Sequence, residues 1–533
     1  MPEMSQIVLM NKILMYAAVA LAAAVAGMAQ AKDRTVEKII AEGTANPQVG
    51  DHLDVLTGRF GGRLVGSAAF DDAADWMLYK YAGWGIPARK EEAGQVPVGF
   101  NRDHWQGRAY GVDGVDHLHF ATPSYTSGTH GRQLGHVLIE PGSKAEFDRM
   151  HGKLKGAWVL LKGKSNGFPI NKSAKGDSLR MAARHYNDSV SAINRRMMMN
   201  NYRNGTDSAM IALKEEPALF YREMCDAGVL GFIQAAETPI RALYDRPLVN
   251  DTTTTFDHLP TQPEIKLDEH QFALIERAAR ERRDIMLEFD IRNHFRLGPV
   301  KYHNIIAEIK GTEKPDEYVI ISGHLDAYDV GTGAIDCGTG IGPMLEAARL
   351  LAYAGAKPRR TIRFIAFAAE EFGLLGAQAY CKKHKKELDK ISLVLNRDGG
   401  PEPPVGIAVS AAMVDDMKKV CEPIAGINPD FPFEVTVAEP RKRPTKFGSN
   451  DATVFAVEGV PTYYFRLSDV DGTNFSYGEI WHTENDILNR ENPRYQQHAA
   501  MVTAIVAYGI ANLDHQLSRE GMFTSDGDDN SKN

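Results

Sequence analysis

Five short segments carry the side chains with which this chain could do chemistry. His324 and Asp326 follow the apolar run Tyr318–Gly323, and Asp336 comes twelve residues after His324 in a glycine-rich stretch. A histidine can bind a metal through one ring nitrogen while a carboxylate holds the other. By itself a His-x-Asp tripeptide is more often a surface turn, and a glycine-rich loop is more often a phosphate cradle or a flexible turn. Against a cradle, Asp336 would repel phosphate, and the loop lacks the lysine of a P-loop.

The other three segments add carboxylates and a second histidine. Glu370 and Glu371 directly follow the apolar run Ile362–Ala369, Asp398 follows another apolar run, and His482 precedes the last long helical pattern. Adjacent carboxylates after a buried strand are costly unless a cation or a proton compensates them, because like charges side by side raise one pKa. Taken singly, each segment has an ordinary alternative, namely solvated glutamates, an isolated aspartate or an isolated histidine.

Together the segments indicate a metal centre. They supply five candidate ligands and one spare carboxylate: His324, Asp336, Glu371, Asp398, His482 and Glu370. Zinc binds histidine nitrogen and carboxylate oxygen, and catalytic zinc keeps an open coordination position. Two metal ions roughly 3.5–4 Å apart can hold a water between them and polarise a substrate carbonyl. The set therefore predicts metal-assisted hydrolysis, for which an amide bond is a natural target.

Apolar runs and helical periodicity predict the elements that must position these side chains. Strands are predicted over Asn304–Ile309, Tyr318–Ser322, Thr361–Ala368, Ile391–Leu395 and Thr462–Arg466. Helices are predicted over Thr35–Thr57, Asp71–Tyr81, Gly342–Tyr353, Leu374–His384 and Asn492–Leu513. Such alternation predicts an α/β fold with a mixed, mainly parallel sheet covered by helices on both faces. Functional groups in these sheets gather where the strands end.

The first half of the chain has a different character. Between about 103 and 269, short apolar runs alternate with Gly, Ser and Thr, which is typical of strands. A Thr-rich linker with two prolines, Asp251–Pro263, ends this part, which we interpret as an inserted β-rich module. The predicted division is a signal peptide over 1–31, an N-terminal part of the catalytic domain over 32–105, the insertion over 106–263, the main catalytic domain over 264–515 and a polar tail over 516–533.

Composition narrows the function classes. Lys and Arg number 61 against 69 Asp and Glu, a net charge of −8, and no long basic run occurs, so the charge footprint of a nucleic-acid binder is missing. This charge is more consistent with small substrates that are not polyanions. The four cysteines are too few for a disulfide scaffold, and a single bridge between Cys381 and Cys421 stays open.

The N-terminus predicts export. Lys12 precedes the apolar stretch Ile13–Ala26, and Ala29-Gln30-Ala31 offers small residues for a signal peptidase just before a polar segment. A membrane anchor or a buried helix is the alternative, but the apolar stretch is shorter than the ~20 residues that a bilayer needs. We therefore expect a periplasmic or secreted protein with no stable membrane insertion after cleavage.

The segments that contain these candidate site residues resemble the motifs of the co-catalytic zinc metallopeptidases of the M28 type. This family includes bacterial aminopeptidases and the carboxypeptidase Q branch. The matching segments are Gly323-His324-Leu325-Asp326, Asp336-Cys337-Gly338-Thr339-Gly340, Ala369-Glu370-Glu371-Phe372-Gly373, Asn396-Arg397-Asp398 and His482-Thr483. The set spans roughly 304–513, and Arg63-Leu64-Val65-Gly66-Ser67 is similar to an N-terminal element of the carboxypeptidase Q branch. More loosely, Ala227–Ile233 resembles the protease-associated (PA) domain that is inserted in such enzymes.

The resemblance implies a zinc-peptidase fold and a role for each residue. Asp336 would bridge two zinc ions. Glu371 and His482 would complete one site, and His324 and Asp398 the other. The catalytic residues would be Glu370, as the general base on a metal-bound water, and Asp326, which would orient His324. The resemblance also implies a cis peptide bond between Asp336 and Cys337.

Three positions depart from the family pattern. Cys337 stands where relatives commonly carry Asp or Asn, and we expect a passive small residue there rather than a soft ligand. Trp481 precedes His482 where some relatives have a tyrosine, and Tyr477 is a substitute to consider. Asp451 lies in a segment where many relatives have Ser-Asp-His, and its role is left open.

The predicted function is a dizinc exopeptidase with two Zn²⁺ per chain that acts on terminal bonds of short peptides, as an aminopeptidase or dipeptidase. A single-zinc enzyme similar to glutaminyl cyclase and a non-catalytic peptide-binding protein on the same fold are the alternatives. Substrate-binding residues are not identified, although Arg466 could capture a carboxylate. A homodimer through the inserted module stays open. No nucleic-acid partner is expected.

Overall fold

The computed structural model describes residues 34–165, 167–170, 177–206, 208–211, 220–244, 255–259, 261–488 and 492–524. The predicted signal peptide and the last nine residues of the predicted tail lie outside them. In the described part of the chain, no helix combines the length and the apolar character needed to cross a bilayer.

The strands and helices of the described residues follow one another in an α/β order. The strands are β1 Ala88–Val96, β2 Gly99–Tyr110, β3 Phe120–Ala121, β4 Gln133–Ile139, β5 Ala157–Lys164, β6 Gly231–Ala236, β7 Glu264–Asp268, β8 Met286–Arg296, β9 Val300–Ile309, β10 Lys314–His324, β11 Arg360–Phe367, β12 Ile391–Asn396, β13 Pro404–Val409, β14 Glu434–Val437, β15 Thr462–Tyr463 and β16 Phe465–Leu467. The helices are α1 Thr35–Ala45, α2 Val49–Leu53, α3 Ala68–Gly83, α4 Lys144–Met150, α5 Asp177–Asn204, α6 Tyr221–Asp226, α7 Glu269–Arg280, α8 Thr339–Ala354, α9 Leu375–Lys383, α10 Val414–Cys421, α11 Ala452–Val457 and α12 Pro493–Ala511.

The first sheet holds the predicted strands in the order β1-β9-β11-β10-β12-β15. β11, β10, β12 and β15 pair in parallel, and β9 and β1 extend the sheet antiparallel at one edge. The predicted fold class, a mixed and mainly parallel sheet, is confirmed. β11 and β12 are buried along their whole length, as expected of parallel strands covered on both faces.

Alternating side chains of this sheet enter two different cores. Val319 and Ile321 pack with helices α3, α8 and α12 on one face, while Ile320 packs with Tyr380 of α9 and Phe455 of α11 on the other. Successive strand residues point to opposite faces, so each apolar run serves both helix layers. This covering fixes the carboxyl ends of β10, β11 and β12 at one edge of the sheet.

The second sheet has the order β2-β8-β4-β5-β6-β7-β3. Its strands fall on both sides of the boundaries 106 and 263 that the sequence predicted. β7 and β8, which follow residue 263, pair with β6 and β4, and β2, which crosses residue 106, pairs with β8. The β-rich character of this part is as expected from its short apolar runs. Its assignment as a PA-like domain, and the boundaries of the domains, stay predictions.

Several local predictions need revision. The predicted helix Thr35–Thr57 is divided into α1 and α2, and the predicted strand Thr462–Arg466 is divided into β15 and β16, which belong to different sheets. Cys381 and Cys421 are both unbridged thiols, so the considered bridge between them is absent. In the predicted polar tail, Leu517 and Met522 are buried against the main core.

Candidate active site

The predicted site residues converge at the carboxyl edge of the first sheet. His324 ends β10, Glu370 and Glu371 follow β11, and Asp398 follows β12. Adjacent parallel strands end side by side, which explains why residues far apart in sequence meet here. Asp336 and His482 reach the same place from loops, so the structure brings together all six side chains that the sequence singled out as ligands or base.

The side chains form two donor sets that share the carboxylate of Asp336. His324 Nε2 lies 3.1 Å from Asp336 Oδ1 and 3.5 Å from Asp398 Oδ1. His482 Nε2 lies 3.4 Å from Asp336 Oδ2 and 3.1 Å from Glu371 Oε2. The two oxygens of Asp336 therefore face one histidine each. This division is the one that the resemblance implied for a bridging carboxylate.

The ring orientation of His324 leaves its Nε2 free to coordinate. Nδ1 lies 2.8 Å from the backbone carbonyl of Asp326. Because a carbonyl only accepts hydrogen bonds, Nδ1 carries the hydrogen and Nε2 keeps its lone pair in the neutral ring. This is the tautomer that a metal ligand needs.

The carboxylate of Asp326 does a different task from the one predicted. It lies 3.8 Å from His324 Nδ1, beyond hydrogen-bond distance, and the backbone oxygen of the same residue holds the ring instead. Its Oδ1 and Oδ2 accept the backbone N–H groups of Glu370 and Glu371 at 3.1 and 3.2 Å. Asp326 thus positions the two glutamates as well as the histidine.

Several buried carboxylates give the pocket a surplus of negative charge. Asp336, Glu370 and Glu371 are all buried. Burial raises the pKa of Glu370 well above its usual range, opposed in part by His324. Although burial lowers the pKa of His482, the carboxylates of Glu371 and Asp336 raise it to about 9. Glu371 Oε1 is buried without a hydrogen-bond partner. Nitrogen and oxygen donors in this arrangement fit zinc.

Two residues that sequence reasoning did not assign hold the loops in place. Asp486 accepts the backbone N–H of Ile335 at 2.6 Å and of Asp336 at 3.3 Å. Arg63 is fully buried and donates to the carbonyls of Leu325, Thr332 and Gly333. The only sequence signal for Asp486 was its closeness to His482, and the signal for Arg63 was the N-terminal motif.

The glycine-rich loop is shaped by close approach. Gly333 has a φ of 63°, and a Cβ there would lie 2.2 Å from Cβ of Ala327. A Cβ on Gly340 would lie 2.2 Å from the carbonyl oxygen of Arg397. The glycines therefore let the loop that carries Asp336 pack against its neighbours. The implied cis peptide bond between Asp336 and Cys337 is present.

The positions that depart from the family pattern also lie at the site. Cys337 is buried, and its Sγ donates to the carbonyl of Arg397 at 3.1 Å, within reach of His324 and Asp398. The Trp481 ring stacks on that of His482 with centroids 4.2 Å apart. Burial, followed by the charges of Asp336 and Asp398, raises the pKa of the Tyr477 hydroxyl well above its usual range. Asp451 is fully buried, and neither carboxylate oxygen has a hydrogen-bond partner.

The histidine nitrogens and carboxylate oxygens at the end of this sheet define a candidate metal centre. Residues 304–507 match the sequence profile of peptidase family M28, and this segment is a peptidase M28 domain.

Individual relatives agree with this family. Carboxypeptidase Q from Rattus norvegicus is 31% identical over 236 residues, which are 42% of this chain and 46% of the relative. A probable zinc metalloprotease from Pyrenophora tritici-repentis is 38% identical over 108 residues, 19% of this chain and 24% of the relative. The chain thus spans less than half the length of these curated relatives.

A solved structure supports the fold. The crystal structure of a peptidase M28 precursor from Shewanella amazonensis superposes with a TM-score of 0.55 at 21% identity, covering 91% of this chain and 98% of that chain.

Proposed function

We propose that this chain is a dizinc exopeptidase that hydrolyses terminal peptide bonds of short peptides, as an aminopeptidase or dipeptidase. The observation that carries the proposal is the sharing of Asp336 between two donor sets. One set contains His324 and Asp398, and the other contains His482 and Glu371. The peptidase M28 match over 304–507 supports the same conclusion.

The donor sets determine which residues would hold each ion. His324, Asp398 and Asp336 Oδ1 would hold one zinc, and His482, Glu371 and Asp336 Oδ2 the other. When bound, the pair would supply Lewis acidity toward a water and a substrate carbonyl. The unpartnered Oε1 of Glu371 and the surplus of buried carboxylates support cation binding here.

The protein's own proton chemistry centres on Glu370. This carboxylate is not needed as a ligand, and its backbone is held by Asp326. Glu370 would take a proton from the attacking water and pass it to the amine of the departing product. A general base of this kind contributes typically about 10²–10⁴-fold to the rate.

Two further parts of the proposal rest on sequence. Export to the periplasm or the medium rests on the leader at 1–31, and the PA-like assignment of the inserted module rests on Ala227–Ile233. The single-zinc alternative, an enzyme similar to glutaminyl cyclase, is disfavoured by the second donor set on Asp336 Oδ2.

Zinc content and turnover of Glu370→Gln test the proposal together. The purified wild-type protein should contain two zinc ions and release amino acids from short peptides. Glu370→Gln should keep both ions while its turnover falls by at least about 10²-fold. Glu281→Gln, at an exposed position directly after α7, is the matched control and should keep wild-type turnover. Retained zinc with full activity in Glu370→Gln would refute the role of Glu370, and one zinc per chain would favour the alternative.

A further inference from the structure

A segment of the second sheet reaches the loop that carries His482. After β6, Arg241 pairs with Thr483 in an isolated antiparallel bridge. The neighbouring Ile240 donates its N–H to Glu484 Oε1 at 2.8 Å, and Glu484 N–H donates to Ile240 O at 2.9 Å. The backbone of Arg241 is therefore fixed beside the residue that follows His482.

The side chain of Arg241 lies against Trp481. Its Cζ is 5.4 Å from the indole centroid, and Nη2 donates to the Trp481 carbonyl at 3.2 Å. The same indole stacks on the His482 ring and remains 38% exposed. A single side chain thus separates the guanidinium from the proposed ligand, and the indole is open to solvent.

Arg241 has no anionic partner among the described residues. No Asp or Glu of that part of the chain lies within ion-pair distance, and its Nε is buried without a hydrogen-bond partner. Burial lowers the pKa of Arg241, Tyr328 opposes this in part, and the positive charge of Arg195 on α5 contributes a smaller lowering. A half-buried cation without an anionic partner is unfavourable until an anion arrives.

Arg466, which the sequence suggested for carboxylate capture, already has an anionic partner. Arg466 lies on β16, and its Nη2 is 3.2 Å from Glu434 Oε2 and 3.4 Å from the Val405 carbonyl. Its charge is compensated on the three-stranded sheet formed by β14, β13 and β16. Arg241 is therefore the better candidate for carboxylate capture.

We propose that Arg241 binds the free α-carboxylate of the substrate. The inference rests on the proposed function and specifies its substrate class, which is dipeptides and other short peptides with a free C-terminus one or two residues beyond the bond that is cleaved. Two extended residues span about 7 Å, and the guanidinium matches a carboxylate as a planar fork of donors. The exposed Trp481 ring provides the floor beneath the last residue.

Binding of non-hydrolysed peptides tests the inference apart from activity. Zinc-loaded Glu370→Gln is titrated by calorimetry with alanyl-alanine, its C-terminal amide and alanyl-glutamic α-amide. We expect the free acid to bind about 10- to 100-fold tighter than its amide, the range for a hydrogen bond to a charged group. Adding Arg241→Met should remove this difference, whereas adding Arg466→Met should leave it unchanged. Arg241→Lys should restore part of it, because lysine supplies charge without the fork.

Four other results of these titrations would overturn the inference. Equal binding of acid and amide, no binding of either, or an Arg241→Met effect of the same size on both would exclude recognition of the α-carboxylate. Tight binding of alanyl-glutamic α-amide would assign the anchor to an acidic side chain instead. Failure of the wild-type zinc protein to hydrolyse any peptide would count against the proposed function, while the binding preference is judged on its own.

Discussion

At the residue scale, the candidate site depends on how single carboxylates divide their oxygens. Asp336 directs one oxygen toward His324 and the other toward His482. Asp326 directs one toward the N–H of Glu370 and the other toward that of Glu371. Both roles need two equivalent acceptor atoms, which aspartate supplies and asparagine does not.

Replacing Asp326 with asparagine should therefore slow turnover without emptying the site. The asparagine amide would keep one acceptor oxygen, but its NH₂ group would face the second buried backbone N–H. Leaving that N–H without an acceptor costs about 1–3 kcal/mol of free energy. We expect kcat to fall by about 5- to 100-fold while zinc content stays near wild type, measured by peptide hydrolysis and metal analysis. Asp316→Asn, at an exposed position on the same strand, is the control. Unchanged kcat in Asp326→Asn would show that the two backbone contacts are dispensable.

The sequence was informative about which side chains meet at the candidate site and less so about the residues that support them. His324, Glu371 and His482 were predictable because their types and positions after apolar runs are unusual. Asp486 and Arg63 were not assigned, because a residue that holds backbone groups leaves no spacing pattern. The carboxylate of Asp326 was predicted to orient His324, but a tripeptide pattern cannot distinguish a side-chain oxygen from a backbone oxygen two residues away.

At the element scale, the buried parallel strands set the positions of the donors. β10, β11 and β12 were predicted within a few residues because their apolar runs are long and bounded by polar segments. The division of Thr462–Arg466 into β15 and β16 was not predictable, since the change of partner strand at Tyr464 does not alter the apolar pattern.

Ile320 tests how firmly β10 is anchored. This side chain is fully buried in the core on the α9 and α11 face of the sheet. Ile320→Ala should lower the free energy of unfolding by about 2–5 kcal/mol, because it removes buried methyl groups and leaves a cavity. Urea denaturation followed by circular dichroism would measure this. Ile193→Ala, at an exposed position on α5, should change it by less than about 0.5 kcal/mol, and an equal loss in both variants would contradict the described packing.

At the scale of the whole molecule, the second sheet supports the site directly. Glu484, two residues after His482, receives the N–H of Ile240 and an interaction from His119 Nε2 at 2.7 Å. Asp268 also faces His119 at 3.5 Å. None of these contacts follows from sequence spacing, because they join parts of the chain more than one hundred residues apart. Residues of the second sheet and its connections thus contact the segment that carries His482.

The His119 contact predicts a pH dependence of stability. The hydrogen bond to Glu484, opposed by burial and assisted by Asp268, raises the pKa of His119 above the unfolded value. The contact therefore stabilises fully below the pKa of an unfolded histidine and is lost as the pH rises through the folded pKa. We expect His119→Gln to lower the midpoint of thermal unfolding at about pH 6 and to have a smaller effect at about pH 9. His117→Gln, exposed on the same loop, should have little effect at either pH. A difference that grows with pH would contradict this assignment.

Anomalous X-ray diffraction at the zinc edge from crystals of the metal-loaded protein tests the central claim most directly. The account predicts two peaks of similar height on either side of the Asp336 carboxylate, roughly 3.5–4 Å apart, one beside His324 and Asp398 and the other beside His482 and Glu371. A single peak, or zinc bound away from Asp336 in fully loaded crystals, would contradict it.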